Sequence, residues 1–176
     1  MMIFLDIETS SLDADTGTLV AVGTGKKENE IDLTFVKSYE DEKTILIQIF
    51  EKIKNKTIIT FNGKRFDIPF LITRGLKYNL IFPKVEIIDL FFWSWKYLRL
   101  QSKKLHDICV YCDIEHEEVS GREVNELYIR AISGDDKSKE RILKHLYHDV
   151  KAMMSLYDKL EPMIKNYPSP EEIFFK

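Results

Sequence analysis

The pair Asp6 and Glu8 is the first part of the sequence whose residue types suggest chemistry. It lies in Phe4-Leu-Asp-Ile-Glu-Thr-Ser-Ser-Leu12, after an apolar run. Side chains alternate between the two faces of a β-strand, so both carboxylates point to one face, about 7 Å apart. Such a pair suits a hard divalent cation. The alternative is a solvent-facing pair on an edge strand, although the apolar run from Met2 to Leu5 favours a central strand.

A third acid, Asp67, lies in Ile59-Thr-Phe-Asn-Gly-Lys-Arg-Phe-Asp-Ile-Pro-Phe-Leu71, where a strand ends and a helix begins. Its carboxylate could cap that helix or bind a cation. Asn62 could equally be a plain turn residue. Lys64 and Arg65 are either solvated or in contact with phosphates.

The third segment is Leu143-Lys-His-Leu-Tyr-His-Asp-Val150, inside a long predicted helix. His145 and Asp149 are four residues apart, so they share one helical face. On that face a histidine could move a proton while the aspartate holds a metal. The alternative is a surface aspartate beside aromatic residues at the edge of the core.

Together, the three segments resemble the motifs of the DEDD exonuclease superfamily. That superfamily includes proofreading exonuclease domains, ribonuclease D-like and ribonuclease T-like enzymes, and the exonuclease domain of B-family DNA polymerases. Residues 6–12 match its Asp-x-Glu-Thr-x-x-Leu motif, and residues 62–69 are similar to the polymerase-type Asn-x-x-x-Phe-Asp-x-Pro. Residues 145–149 stand where the third motif belongs, and the resemblance covers roughly residues 2–157.

The third motif departs from the family pattern. One branch carries Tyr four residues before the final Asp, and the other carries His five before it. Here His145 is four residues before Asp149, and Lys144 is five before it. Tyr147 falls on a different helical face, whereas the adjacent His148 stays open as an alternative general base.

The resemblance implies a ribonuclease H-like fold and a metal-dependent 3′–5′ exonuclease. Its substrate would be the 3′ end of single-stranded nucleic acid, with DNA favoured over RNA. Two divalent cations, Mg²⁺ or Mn²⁺, would offset the charge with which a phosphodiester repels nucleophiles. Asp6, Glu8, Asp67 and Asp149 would hold them, with Asp6 shared by both, and His145 would take the proton of the attacking water.

Further side chains are candidates for substrate contact. Hydroxyl and N–H groups after the first motif could meet the terminal nucleotide, apolar side chains could stack on bases, and basic ones could follow phosphates. The alternative for the apolar side chains is core packing. The candidates are Thr9, Ser10, Leu12, Asn62, Lys64, Arg65, Phe66 and Arg74. Asp89 also resembles a family position and is interpreted as supporting structure.

The elements that must position these residues follow an α/β pattern. Strands are predicted at residues 2–8, 17–25, 30–37, 56–61 and 85–89. Helices are predicted after a capping box at Ser38–Asp41, over 66–76 and 104–114, and over about 137–165. The order predicts a mixed five-stranded sheet, a three-strand antiparallel meander plus parallel strands, flanked by helices.

Composition limits the remaining choices. The 176 residues, 44% hydrophobic, fit a single domain over 1–176 with a tail at about 167–176. The net charge of −3 argues that nucleic-acid contacts are local. No apolar run spans a membrane and the start lacks signal-peptide features, so a cytoplasmic protein is expected. Ile173-Phe-Phe175 could dock on a neighbouring copy, which would make a homo-oligomer.

Two cysteines, Cys109 and Cys112, are flanked by His106 and His116. The four could form a zinc site on paper, but they all lie within eleven residues, whereas structural zinc sites usually join two pieces of chain. A helix with partly buried cysteines is the favoured interpretation.

Two other function classes stay open. An RNA-directed exonuclease or a ribonuclease H-like endonuclease would use the same acids. A non-catalytic module that binds nucleic acid or a partner is the third class, since fold does not ensure function. The presence of all four acids argues against it.

Overall fold

The computed structural model describes residues 1–116 and 123–167. The strands are β1 (Met2–Thr9), β2 (Leu19–Gly25), β3 (Ile31–Phe35), β4 (Thr57–Thr60) and β5 (Glu86–Asp89). The helices are α1 (Tyr39–Ile53), α2 (Asp67–Lys77), α3 (Leu90–Tyr97), α4 (Leu105–Tyr111), α5 (Val124–Ile132) and α6 (Asp136–Asn166). The predicted tail from residue 168 onward, including Ile173–Phe175, lies outside the described residues.

The sheet has the order β3-β2-β1-β4-β5. β1 pairs antiparallel with β2, and β2 with β3, whereas β1 with β4 and β4 with β5 are parallel. The prediction of a meander joined to parallel strands is therefore confirmed. β1 lies in the middle of the sheet, so the edge-strand interpretation of Asp6 and Glu8 is wrong.

Helix α1 begins where the sequence predicts it. Ser38 is the N-cap residue, and its side chain accepts a hydrogen bond from the backbone N–H of Asp41 at 3.3 Å. The helix buries Ile45, Ile49 and Ile53 against the sheet. A capped start and one apolar face are thus enough to place this helix.

The alternation of β1 divides the core into two layers. Ile3, Leu5 and Ile7 belong to the layer that α1 and α2 cover. Phe4 belongs to the other layer, where its ring packs edge-on against Tyr157 of α6 with centroids 5.8 Å apart. Because side chains repeat every two residues, Asp6 and Glu8 follow Phe4 onto the α6 side of the sheet.

Helix α6 packs directly on the sheet at Gly23 of β2. A Cβ atom on Gly23 would lie 2.8 Å from Val150 Cγ2 and 2.9 Å from Leu146 Cγ, too close for any larger residue without a shift. Gly23 pairs with Asp6 across the strands. This close approach brings the face of α6 that carries His145 and Asp149 down to the acids of β1. Within the described residues, no helix is apolar over a length that would cross a bilayer.

Candidate active site

Four carboxylates from three elements converge near one end of β1. Asp6 and Glu8 belong to β1, Asp67 is the first residue of α2, and Asp149 belongs to α6. The parallel strands β1 and β4 end at the same edge of the sheet, and the turn after β4 leads into α2. The topology therefore delivers the three predicted motifs to one place.

Asp67 reaches β1 directly. Its Oδ1 accepts a hydrogen bond from the backbone N–H of Ile7 at 3.1 Å, inside the protein. Phe66 is the N-cap residue of α2 and makes no side-chain cap hydrogen bond. The helix-cap interpretation of Asp67 is therefore wrong. Phe66 itself is half-buried, with its ring 5.9 Å from that of Phe70.

His145 faces the acids of β1 and α6. Its Nε2 lies 3.3 Å from Glu8 Oε1 and 3.6 Å from Asp149 Oδ2. One ligand-type atom from each of these residues lies within 4.8 Å of the other two. His148 packs its ring edge-on against Tyr147, with centroids 5.7 Å apart. His145 lies beside the acids as expected, and its role as the base stays a prediction.

Burial and nearby negative charge raise the pKa values of Asp6, Glu8 and Asp67. Burial, then the charges of Asp149 and Asp67, raises the pKa of Glu8 to about 8. Burial and the charge of Asp89 raise the pKa of Asp67 to about 7. The pKa of Asp6 is raised well above its usual value by burial and by the other three acids. Full ionisation at neutral pH thus calls for positive charge, and a set of carboxylate oxygen ligands fits Mg²⁺ or Mn²⁺.

Two buried polar atoms at the site have no hydrogen-bond partner within the described parts of the chain. They are Asn62 Oδ1 and His145 Nδ1. Asn62 adopts a left-handed backbone conformation, φ 63°, which asparagine tolerates better than most residues. A buried acceptor without a partner is costly and is typical of a position that a ligand completes.

Asp89 holds the loop that carries Asn62. Its Oδ1 accepts from the N–H of Asn62 and its Oδ2 from that of Lys64, both at 2.9 Å. It also caps α3 by accepting from Phe91 N at 3.0 Å. The interpretation of Asp89 as supporting structure is confirmed.

The loop after β1 uses its own hydroxyl groups. Thr9 Oγ1 donates to the carbonyl of Ser11 at 2.8 Å, and Ser10 Oγ accepts from the N–H of Thr18 at 2.9 Å. Leu12 is 80% exposed, so the core-packing alternative is wrong for this residue. Contact of these three residues with substrate stays a prediction.

The basic residues near the second motif differ in their surroundings. Lys64 is half-buried and Arg65 is exposed, and their contact with phosphates stays a prediction. Arg74 lies inside, where its guanidinium binds both oxygens of Glu42, at 2.8 and 2.5 Å, and the carbonyl of Ala14 at 2.9 Å. The prediction of a phosphate contact for Arg74 is wrong, because its donors face a buried partner.

Sequence reasoning missed the role of His116. Its Nε2 lies 2.7 Å from Asp149 Oδ1, and its Nδ1 lies 3.3 Å from Nδ1 of His106. Cys109 is fully buried on α4, and burial raises the pKa of its thiol to about 12. In the described ranges, the candidate metal cluster involves Glu8, His145 and Asp149 rather than the cysteines. No spacing signal pairs His116 with a residue 33 positions away.

Comparison with known proteins agrees with this geometry. The sequence model of the family described as RNase_H superfamily matches residues 3–161. The uncharacterized protein MJ0365 of Methanocaldococcus jannaschii is 27% identical over 166 residues, which cover 87% of this chain and 91% of that protein.

A solved structure shares the fold. The family B DNA polymerase from the hyperthermophilic archaeon Pyrobaculum calidifontis superposes with a TM-score of 0.81 at 16% identity, covering 96% of this chain. At 16% identity the likeness concerns the fold alone, and this chain spans only 25% of the polymerase chain. The predicted ribonuclease H-like fold is confirmed, and the chain belongs to the RNase H superfamily.

Proposed function

We propose that the protein is a metal-dependent 3′–5′ exonuclease that hydrolyses phosphodiester bonds at the 3′ end of single-stranded nucleic acid, DNA in preference to RNA. The observation that carries this proposal is the convergence of Asp6, Glu8, Asp67 and Asp149 beside His145. Membership in the RNase H superfamily supports a nuclease. The polarity and the single-stranded substrate rest on the motif resemblance.

The four acids are the proposed ligands of two divalent cations, Mg²⁺ or Mn²⁺. When bound, such cations offset the phosphodiester charge and polarise its oxygens. The charge of Asp6 interacts with those of the other three acids, which supports its role as the shared ligand. Glu8 and Asp149 lie together beside His145, whereas Asp67 arrives from α2. This division supports one cation at Glu8 and Asp149 and the other at Asp67.

His145 is the proposed general base. Burial lowers the pKa of its imidazole below the usual value, which outweighs the opposing charge of Asp149. The ring is therefore neutral near pH 7 and able to accept a proton. Its Nε2 is the atom directed to Glu8 and Asp149, where the attacking water would be held.

Residues around the cluster supply the proposed contacts with the 3′ end. Leu12 projects into solvent next to the first motif, in a position to pack against a terminal base. The unpaired Oδ1 of Asn62 is an acceptor for a nucleotide group. Lys64 and Arg65 would meet the phosphates locally, since the protein as a whole is acidic.

The experiment that tests this function is digestion of single-stranded DNA and RNA labelled at the 5′ or the 3′ end, with Mg²⁺, Mn²⁺ or EDTA. An exonuclease of this polarity releases the 3′ label as a mononucleotide and shortens the 5′-labelled strand stepwise. Asp149→Ala, purified in parallel, controls for contaminating nucleases.

Two outcomes would replace the proposal. Internal cleavage of a strand with a blocked 3′ end would identify a ribonuclease H-like endonuclease. Binding without hydrolysis under every metal condition would identify a non-catalytic module. Faster loss of RNA than of DNA would reverse the substrate preference and leave the polarity intact.

A further inference from the structure

His116 is a buried neighbour of Asp149 that none of the three motifs contains. Its side chain is 4% exposed, and its Nε2 lies 2.7 Å from Asp149 Oδ1. The other oxygen of the carboxylate, Oδ2, lies 3.6 Å from His145 Nε2. The two oxygens of Asp149 therefore contact two different imidazoles, one from its own helix and one from a distant segment.

The backbone after α4 brings His116 to this position. Asp113 adopts a left-handed conformation, φ 54°, and the N–H of Ile114 donates to the carbonyl of Cys109 at 2.8 Å. This is the Schellman pattern that ends a helix and turns the chain back. The ammonium of Lys159 on α6 binds the carbonyl of Cys112. The turn is thus attached to the helix that carries Asp149, and His116 follows it by two residues.

The hydrogen-bond directions around His116 follow from its partners. An ionised Asp149 can only accept, so His116 Nε2 carries the hydrogen and donates it. Nδ1 of His106 lies 3.3 Å from Nδ1 of His116. In the tautomer whose Nε2–H faces Asp149, Nδ1 of His116 accepts a hydrogen bond and His106 is its donor. In this tautomer the hydrogen bonds run from His106 to His116 to Asp149.

We infer that His116 is a positioning residue, which fixes the Asp149 carboxylate by binding Oδ1 and leaves Oδ2 facing His145. This inference rests on the proposed function, because it gives Asp149 a cation to hold. The charges of Asp149 and of Glu8 and Asp6 repel one another, so a carboxylate without a donor would turn away from the cluster. Hydrogen bonds that orient metal ligands are worth about 10–100-fold in metal affinity or activity.

A matched pair of variants tests the inference. His116→Gln keeps an N–H donor near the position of Nε2, whereas His116→Met has nearly the same length and no donor. Mn²⁺ affinity, measured by titration calorimetry on the metal-free protein, should fall about 10–100-fold in the Met variant and stay within about threefold in the Gln variant. Equal affinities in the two variants would overturn the inference. Tighter binding by the Met variant would do so too, since His116 would then compete with the cation.

Hydrolysis provides a second readout that misfolding would not reproduce. The Met variant should lose rate at low Mn²⁺ and regain most of it at saturating Mn²⁺. Circular dichroism establishes that both variants are folded. If the Met variant is not, His106→Phe removes the donor to His116 while leaving His116 in place, and its Mn²⁺ affinity should fall below that of the wild type. Unchanged affinity in that variant would overturn the inference.

The same titration separates this inference from the proposed function. Asp149→Ala should lose Mn²⁺ affinity whether or not His116 orients the carboxylate. If Asp149→Ala binds Mn²⁺ as the wild type does, the metal site itself is misassigned. If Asp149→Ala loses Mn²⁺ affinity but both His116 variants bind Mn²⁺ as tightly as the wild type, the metal site is supported and the positioning role of His116 is wrong.

Discussion

The carboxylate of Asp67 accepts a hydrogen bond from the backbone N–H of Ile7, 3.1 Å away, between the two acids of β1. This bond joins the start of α2 to the central strand of the sheet. Asp67 therefore has an architectural role besides its proposed role as a ligand, and substitutions can separate the two.

Asp67→Asn should abolish hydrolysis and leave stability nearly intact, because the amide oxygen still accepts from Ile7. Asp67→Ala should abolish hydrolysis and also lower the free energy of unfolding by about 1–3 kcal/mol, since a buried N–H loses its partner. Urea denaturation in EDTA measures the difference. Equal stability of the two variants would show that the Ile7 bond contributes nothing.

Asp6→Ala should abolish hydrolysis through a barrier increase of several kcal/mol, because the shared ligand is lost. The fold should persist, and the metal-free protein should be as stable as the wild type or more so, since one repelling carboxylate is gone. Rates on single-stranded DNA and a thermal melt in EDTA check both statements. A variant that keeps more than about a tenth of the wild-type rate contradicts the assignment. Its activation barrier would have risen by less than about 1.4 kcal/mol.

Most of the fold could be predicted because its signals are local, whereas the four acids are grouped as one candidate site by the resemblance of their segments to a known set of motifs. Alternation and apolar runs predict all five strands within about two residues, and a capping residue sets the start of α1. The acids Asp6, Glu8 and Asp67 sit at element ends that parallel pairing must bring together.

What could not be predicted depends on contacts between distant segments. From the sequence, Arg74 is expected to be a surface cation. In the fold it binds Glu42, which lies 32 positions away. His116 reaches Asp149 only because Asp113 turns the chain after α4. Helix α5 is amphipathic, but no side chain forms a capping hydrogen bond at its start. A single sequence without long-range contact information contains no signal for these pairings.

The stability of the metal-free protein should fall as pH rises from about 4 to about 8. The folded pKa values of Glu8, about 8, and Asp67, about 7, exceed the usual values of about 4.3 and 3.9. The folded state then binds more protons than the unfolded state in this range, so rising pH favours unfolding. Melting temperature in EDTA should be lower at pH 8.5 than at pH 5.5, and added Mg²⁺ or Mn²⁺ should help more at pH 8.5.

Glu8→Gln is the control for this dependence, since it removes one raised pKa and leaves other titrating groups in place. The loss of melting temperature between the two pH values should be smaller in this variant than in the wild type. An identical loss would show that Glu8 does not carry a raised pKa in the folded protein.

Arg74→Met should lower the free energy of unfolding by about 3–5 kcal/mol, because it leaves the Glu42 carboxylate buried without its cation. Burial alone would raise the pKa of Glu42, but the bonds from Arg74 and Tyr78 hold it below its usual value. The salt dependence of nucleic-acid binding should not change. Lys64→Met should give the reverse result, a smaller salt slope and little change in stability. A reduced salt slope in Arg74→Met would contradict the structural role.

His145 tests the departure in the third motif. His145→Ala should lose about 10²–10⁴-fold in hydrolysis rate, with Mn²⁺ affinity nearly unchanged, because only the proton acceptor is removed. His145→Tyr places the residue of the tyrosine branch at the same helical position, so partial activity should return. In the wild type the rate should hold through neutral pH and fall in acid, since burial keeps the pKa of this imidazole below its usual value.

His148→Ala is the matched control. On an α-helix, the side chain of His148 points about 100° away from that of Asp149. Its ring packs edge-on against that of Tyr147, with centroids 5.7 Å apart. The variant should therefore keep most of the wild-type rate and the same pH profile. If His148→Ala loses more activity than His145→Ala, then the helix must open at this point during catalysis, and His148 rather than His145 is the base.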